Sequence, residues 1–223
     1  MKYMSTAKLP SLLVGATLLL AGMAVVADDA ADPVLNFYWT RARQTATLAN
    51  PDREGLSYSY QGRSYRHAVD DHGRILRTDS LVARYFCTNG TLDSQRTLAG
   101  DVGRFRNLDL AVPAVFRSDY HLNLFPNDTG GDGLAIGLTS DSTAERQPDG
   151  LVIIDRQEYF LRALYLYYPH RDGFRRFTRS YRFVRVGDLV FPDSVSEVAT
   201  RLGIFYTENY RFETGITDIQ VNP

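Results

Sequence analysis

Cysteine and lysine are scarce in this 223-residue chain, which has one cysteine and two lysines. Its one cysteine, Cys87, excludes an internal disulfide framework and a zinc site built from several thiolates. The apolar, strand-like context of residues 83–87 predicts that this thiol is a small buried hydrophobic side chain. Lys2 and Lys8 are the only lysines, so every later basic residue is an arginine, which keeps its charge and pairs well with carboxylates.

A large excess of charge of one sign is also missing. The chain has 25 basic and 26 acidic residues, and both signs are interspersed along it. Setting Lys2 and Lys8 aside leaves 23 arginines against the same 26 acids, a net charge of −3. This balance argues against nucleic acid as a partner and against a polybasic membrane-surface protein.

Beyond residue 27 the chain lacks an apolar run long enough to span a bilayer, which needs about 18 residues. Before that point, an apolar stretch over residues 12–26 follows the two lysines and ends in small residues at Ala27. This order is typical of a secretory signal peptide with cleavage after Ala27. We therefore expect a signal peptide over residues 1–27, a single exported domain over residues 28–223, and no transmembrane anchor after cleavage.

Motifs for common enzyme chemistries are absent or poor. The sequence has no G-x-S-x-G elbow, no P-loop and no dinucleotide-binding glycine pattern. Asp128-Thr129-Gly130 has the letters of the aspartic-protease triplet, but it follows Phe-Pro-Asn rather than an apolar strand, and Asp128 and Asp132 lack the order of an EF-hand loop. A plain turn is the better interpretation. The four histidines, which form no H-x-x-x-H pair, are expected to be structural: His67, His72, His121 and His170.

The periodicity predicts one helix followed by strands. Residues 31–48 place apolar side chains at helical spacing, with Pro33 suited to the first helical position, so we expect an amphipathic helix that ends before Pro51. Alternation on either side of Gln61-Gly62 indicates strands joined by a turn, and a further strand follows from Arg74 to Arg84. Residues 108–121 read as a short helix or loop that crosses one sheet face, and residues 134–138 as a short strand.

The last third of the chain predicts an antiparallel meander. Its strand-like runs cover residues 151–155, 159–168, 174–186, 189–199, 203–212 and 217–221, with Glu213-Thr214-Gly215 as one of the turns. Connections this short force antiparallel neighbours, because a parallel crossover needs about a dozen residues. In the third run, Phe177, Tyr181 and Phe183 share one face, with Arg179 among them.

Residues 180–195, Ser-Tyr-Arg-Phe-Val-Arg-Val-Gly-Asp-Leu-Val-Phe-Pro-Asp-Ser-Val, end one strand at a tight glycine turn and open the next with Phe191-Pro192. An aromatic strand over residues 204–210 follows. This pattern resembles the LolA-like superfamily of periplasmic lipoprotein carriers, lipoprotein-sorting proteins and related envelope sensor domains, best over residues 150–221. The resemblance implies a mainly β (α+β) fold: a strongly curved antiparallel sheet, or unclosed β-barrel meander, with an N-terminal helix and a mid-chain lid-like segment.

The resemblance also implies a function. We expect a periplasmic, non-catalytic protein without a cofactor or metal, which binds a lipid or lipoprotein acyl chain in a half-barrel cavity, with envelope proteins as further partners. Two alternatives stay open: an envelope protein–protein interaction module with a filled core, and a secreted hydrolase whose site the motifs do not reveal. The inward-facing apolar side chains are the candidates for the cavity lining: Phe160, Leu164, Leu166, Phe177, Tyr181, Phe183, Ile204 and Tyr206.

Overall fold

A helix and a ten-stranded sheet form the part of the chain that the computed structural model describes, residues 32–105, 110–117, 120–125, 132–140, 147–169, 171–203 and 207–222. The helix α1 covers Pro33–Leu48. The strands are β1 (Ser57–Val69), β2 (Ile75–Thr88), β3 (Thr91–Gly100), β4 (Tyr120–Leu124), β5 (Gly133–Ser140), β6 (Asp149–Asp155), β7 (Leu161–Tyr167), β8 (Phe174–Val186), β9 (Leu189–Leu202) and β10 (Thr207–Asn222). Short 3₁₀ turns lie at Val102–Phe105 and Val115–Arg117.

All pairs of neighbouring strands are antiparallel, in the order β3-β2-β1-β10-β9-β8-β7-β6-β5-β4. The sheet does not close, because β3 and β4 lie at its two edges. Pairing of β1 with β10 joins the two ends of the chain within the sheet. The predicted fold class, an unclosed antiparallel barrel with an N-terminal helix, is confirmed. No helix among the described residues is long and apolar enough to cross a membrane.

Side-chain alternation sets the inner face of the sheet. Along β8 the buried residues are Phe177, Arg179 and Tyr181, whereas Arg182 between the last of these and Phe183 is exposed. The helix begins at Pro33 and ends before Pro51, as its pattern predicts. The strand predicted over residues 174–186 is confirmed at both ends.

Two turns predicted by the sequence are wrong. Gln61-Gly62 lies inside the continuous strand β1, where Gly62 leaves room for the ring of Tyr85: a Cβ on this glycine would stand 2.8 Å from Cε2 of that ring. Residues 213–215 likewise continue β10, and the Thr214 hydroxyl forms a buried 2.9 Å hydrogen bond with that of Ser64. At both places small or polar residues allow close packing between strands. The same residue types are typical of turns, so the local sequence does not distinguish the two roles.

The predicted crossing segment, residues 108–121, is described in part. Its described residues are the loop residues 110–114, the 3₁₀ turn Val115–Arg117 and the first two residues of β4. Strand β3 has no counterpart among the predicted elements, because all ten of its residues are exposed and its apolar pattern is weak.

Gly150 generates a testable prediction for the sheet. A Cβ at this position would lie 2.2 Å from the Tyr165 carbonyl oxygen, so the backbones of β6 and β7 would have to separate. Gly150→Ala should therefore lower the free energy of unfolding by about 1–3 kcal/mol. The matched control is Gly215→Ala in β10, where a Cβ meets nothing within 4 Å and the effect should be neutral or slightly stabilising. Urea denaturation measures both, and an equal loss in the two variants would contradict the packing role of Gly150.

Candidate functional site

The inner face of the sheet carries a continuous apolar surface on strands β5–β9, here called the apolar floor. Its buried members come from five consecutive strands and form one cluster: Leu134, Ile136, Leu138, Val152, Ile154, Leu161, Leu164, Leu166, Tyr181 and Val195. Burying a side chain of this size stabilises the fold by about 1.5–3 kcal/mol. The apolar floor is thus a large part of the hydrophobic core. It is also the surface whose apolar composition best suits contact with a lipid chain.

The predicted lining residues fall into separate groups. Leu164, Leu166 and Tyr181 belong to the apolar floor and are at most 3% exposed, and half-buried Phe183 packs against them. Phe177 lies in a different cluster, with Ala199 and Tyr210. Phe160 lines a cleft at the end of the helix, described below. Ile204 and Tyr206 lie outside the described residues.

A two-part cover packs on the apolar floor: helix α1 and residues 110–117. Leu35 and Ala42 of the helix and Val115 of the crossing segment are buried in the same cluster as the floor. The two parts also contact each other, since the ring centroids of Trp39 and Phe116 are 4.9 Å apart. The predicted lid-like segment therefore lies over the floor together with the helix.

Hydrogen bonds as well as apolar packing connect the described cover to the sheet. The hydroxyl of Tyr181 donates to the carbonyl oxygen of Ala111 at 2.8 Å. Just after the helix, the amide of Val190 on β9 donates to the carbonyl oxygen of Ala49 at 3.0 Å. The first bond lies in the middle of the inner face and the second just after the end of the helix.

A row of charged side chains crosses the same inner face. Through the strand register, Asp79 on β2 lies opposite Arg66 on β1, Arg66 opposite Phe212 on β10, Phe212 opposite Glu197 on β9, and Glu197 opposite Arg179 on β8. We call Asp79, Arg66, Glu197 and Arg179 the ion-pair row. The next residue along, Leu166 on β7, belongs to the apolar floor, so the row ends where the covered region begins.

Arg179 and Glu197 form the most deeply buried pair of this row, with side chains 6% and 12% exposed. Nη2 and Nε of Arg179 lie 2.7 and 3.1 Å from Oε2 of Glu197, and Oε1 of Glu197 accepts from the Tyr210 hydroxyl at 3.2 Å. Nη1 of Arg179 lies 3.4 Å from the hydroxyl oxygen of Tyr181. Through Arg179, the ion-pair row therefore contacts Tyr181 of the apolar floor. The hydroxyl of Tyr181 also bonds to Ala111 of the cover.

Burial and charge act in opposite directions on Arg179. Burial by itself lowers the pKa of the guanidinium, but the neighbouring Tyr181 and Glu197 raise that pKa above its ordinary value. Burial, together with the Glu197 carboxylate, also raises the pKa of the Tyr210 hydroxyl. At neutral pH Arg179 is consequently charged and the Tyr210 hydroxyl keeps its proton.

Sequence reasoning did not identify the Arg179–Glu197 pair. A signal was present, because Arg179 alternates with Phe177 and Tyr181 on an otherwise aromatic face. Its acidic partner could be found only with the β8–β9 register, which places Glu197 directly opposite.

A separate cleft of about 210 Å³ lies between the end of the helix and the β8–β9 turn. It is lined by Thr45, Leu48, Ala49, Glu158, Phe160, Arg185, Asp188 and Val190. Its charges compensate one another, because Arg185 pairs with Glu158 at 2.9 Å and with Asp188 at 3.4 Å. This cleft is small and mixed in polarity, which fits an acyl chain less well than the apolar floor does.

Where the structure describes them, the residues considered for catalysis are exposed, lie in a turn or form a hydrogen bond within the sheet. Nδ1 of His67 lies 2.9 Å from the Thr78 hydroxyl, His72 is in the Asp70–Arg74 turn, and His121 is exposed on β4. Asp132 is exposed, whereas Asp128 and His170 lie outside the described residues.

Cys87 is buried, as predicted, and burial raises the pKa of its thiol. A raised pKa is the opposite of what an activated thiolate needs. Within the described part of the chain, no three His, Cys, Asp or Glu side chains are grouped so that they could hold a metal ion.

Comparison with solved structures finds similar folds at low sequence identity. The LolA superfamily protein NE2245 from Nitrosomonas europaea is 13% identical, with 85% of this chain and 94% of that chain covered and a TM-score of 0.37. An outer membrane lipoprotein-sorting protein domain from Vibrio parahaemolyticus is 10% identical, with 82% and 93% covered and a TM-score of 0.39. The MucA/MucB complex from Pseudomonas aeruginosa matches at 10% identity, 82% and 99% coverage and a TM-score of 0.25.

No protein-family model matches the chain, and no curated protein matches it.

The buried ion pair generates a prediction for stability. Arg179→Met or Glu197→Gln alone removes one partner of this buried pair and should cost about 3–5 kcal/mol of unfolding free energy, whereas the double variant should cost clearly less than the sum. The matched control is the exposed pair Arg185 and Glu158, where Arg185→Met and Glu158→Gln should each change stability little, because solvent screens the charges. Additive effects for Arg179 and Glu197 in urea denaturation would contradict their direct coupling.

Proposed function

We propose that this protein is an exported, periplasmic, non-catalytic protein that binds an acyl chain between the apolar floor and its cover, as a lipoprotein carrier or an envelope sensor. The observation that carries the proposal is the floor itself: its buried residues come from five strands, are apolar apart from the Tyr181 hydroxyl, and lie under a cover made of two separate chain segments. Such a surface fits an extended apolar ligand, and its specificity would come from shape rather than from reactive groups.

Because the cover lies on the apolar floor, binding of a ligand requires the cover to move. Leu164 and Tyr181 are buried by protein atoms, so a ligand can reach them only after the cover moves away from the floor. An acyl chain contributes about 0.8 kcal/mol for each buried CH₂, so about ten such groups provide the roughly 8 kcal/mol of micromolar binding before the displacement of the cover is subtracted. The predicted lining residues on the floor would then exchange contacts with the cover for contacts with the chain.

The one tryptophan of the chain makes this movement measurable. Trp39 lies in the cover, half-buried against Phe116. Titrating the delipidated protein with palmitate should give a saturable change in tryptophan emission as Trp39 leaves its packed position, together with a lipid-mass adduct in native mass spectrometry. Butyrate is the control, because its chain is too short to bury the required CH₂ groups. No emission change and no adduct at saturating palmitate would contradict acyl binding.

A protein-interaction module is the second candidate, and strand β3 favours it. This edge strand is exposed along all ten residues and carries Leu92 and Leu98, each about half exposed. An unprotected edge offers backbone groups to a strand of another chain. Absence of lipid binding combined with capture of an envelope protein, lost on Leu92→Lys, would support this second function.

Export through a cleavable signal peptide is a further part of the proposal. We expect cleavage after Ala27, because the apolar segment and the small residues before it have the order of a signal peptide. The intact mass of the protein recovered from a periplasmic extract should correspond to a chain that begins at Asp28. An Ala27→Arg variant should accumulate as the uncleaved precursor, and a full-length mass for the unaltered protein would contradict the assignment.

A further inference from the structure

Five neighbouring strands, β2, β1, β10, β9 and β8, end side by side at one end of the sheet. The register runs from Ile75 on β2 through Val69, Asn209 and Thr200 to Arg176 on β8. These residues are far apart in the sequence, and only strand pairing brings them together. We call this region the basic end and define it as residues 70–77, 171–176, 200–202 and 207–209.

Large apolar side chains extend into solvent at the basic end. Ile75 is 60% exposed and Leu76 is 69% exposed, within residues 71–78, all of which are exposed. Leu202, at the end of β9, is 50% exposed. A single exposed leucine is ordinary on a protein surface, but three such side chains on two neighbouring hairpins indicate a surface that contacts an apolar partner.

The basic end also carries an excess of positive charge. It has six arginines and four acidic residues, whereas the chain beyond residue 27 has a net charge of −3. The arginines adjoin the exposed apolar side chains, in Arg-Ile-Leu-Arg at residues 74–77 and in Arg201-Leu202. Within the described part of the chain, Arg175, Arg176 and Arg201 form no ion pair. The balanced charge of the whole sequence conceals this local excess.

We propose that the basic end docks on the surface of a bilayer that contains anionic phospholipids. Guanidinium groups bind phosphate oxygens through two parallel hydrogen bonds, so the arginines contact the headgroups. Ile75, Leu76 and Leu202 enter the boundary between the headgroups and the acyl chains. One surface thus supplies both the apolar and the electrostatic attraction that stable but reversible membrane binding needs.

The shape of the basic end favours a bilayer over an acidic protein. Its apolar side chains stand at the ends of hairpins, and a fluid lipid surface accommodates separate protruding side chains without a matching pocket. The cleft lined by Glu158 and Arg185 lies at the opposite end of the sheet. None of the residues of the basic end belongs to the apolar floor or its cover, so docking does not depend on the proposed acyl binding.

Vesicle flotation tests the docking. The unaltered protein should bind vesicles of POPC and POPG in equal parts at least about tenfold more tightly than vesicles of POPC alone. Salt at about 0.5 M should remove most of this difference, because it screens the charges. Leu76→Ser should weaken binding to the anionic vesicles about tenfold through loss of an inserted side chain, and Arg201→Gln about fivefold through loss of one charge.

Matched controls come from the opposite end of the sheet. Val184→Ser removes an exposed apolar side chain near the end of β8, and Arg53→Gln removes an exposed arginine before β1. Both should leave vesicle binding unchanged. Circular dichroism and thermal unfolding verify that all four variants are folded.

Equal binding to the two kinds of vesicle, or binding to neither, overturns the docking on anionic lipid. Capture of poly-glutamate that depends on Arg201, without vesicle binding, would make an acidic protein the partner instead. Equal losses in the control and basic-end variants overturn the assignment to this end of the sheet. Palmitate titration of the same proteins is a separate readout, since its failure with vesicle docking intact contradicts only the proposed acyl binding.

Discussion

Pairing of β1 with β10 is the constraint on which the rest of this structure depends. Twelve register pairs, from Ser57–Asn222 to Val69–Asn209, bring the two ends of the chain into one sheet. Without this pairing β1–β3 would be a separate three-stranded sheet, and the inner face would stop at β10. The buried hydrogen bond between Ser64 and Thr214 and the packing of Tyr85 over Gly62 lie along this seam.

The same seam completes the ion-pair row. Arg66 reaches the Glu197–Arg179 side of the sheet through Phe212 and Tyr210, whose rings lie 5.9 and 5.5 Å from its guanidinium carbon. The row separates the floor from the cluster of Phe177, Ala199 and Tyr210. Since charges are costly to bury unless they are paired, it forms a polar boundary that fixes where the apolar compartment ends.

Residues of the cover and the apolar floor form one hydrophobic core. A core held by many specific polar bonds is difficult to open, whereas apolar surfaces exchange one apolar partner for another with little loss. The contacts of Leu35, Ala42 and Val115 with the floor are of this second kind. A directional contact is added by the Tyr181 hydroxyl, which donates to the Ala111 carbonyl oxygen of the cover.

The sequence by itself determined the helix and most strands, because these depend on local spacing: Pro33 begins α1, and alternation over residues 174–186 defines β8. The fold class came from the resemblance over residues 150–221. Leu164, Leu166 and Tyr181 were named as a cavity lining, which stays a prediction, and they lie on the apolar floor. Local pattern was misleading at Gly62 and Thr214, where small and polar residues serve contacts between strands distant in sequence. Only the tertiary structure decided that Glu197 neutralises Arg179 and that Ala111 meets Tyr181, because register and loop placement bring together groups that no short window of sequence contains.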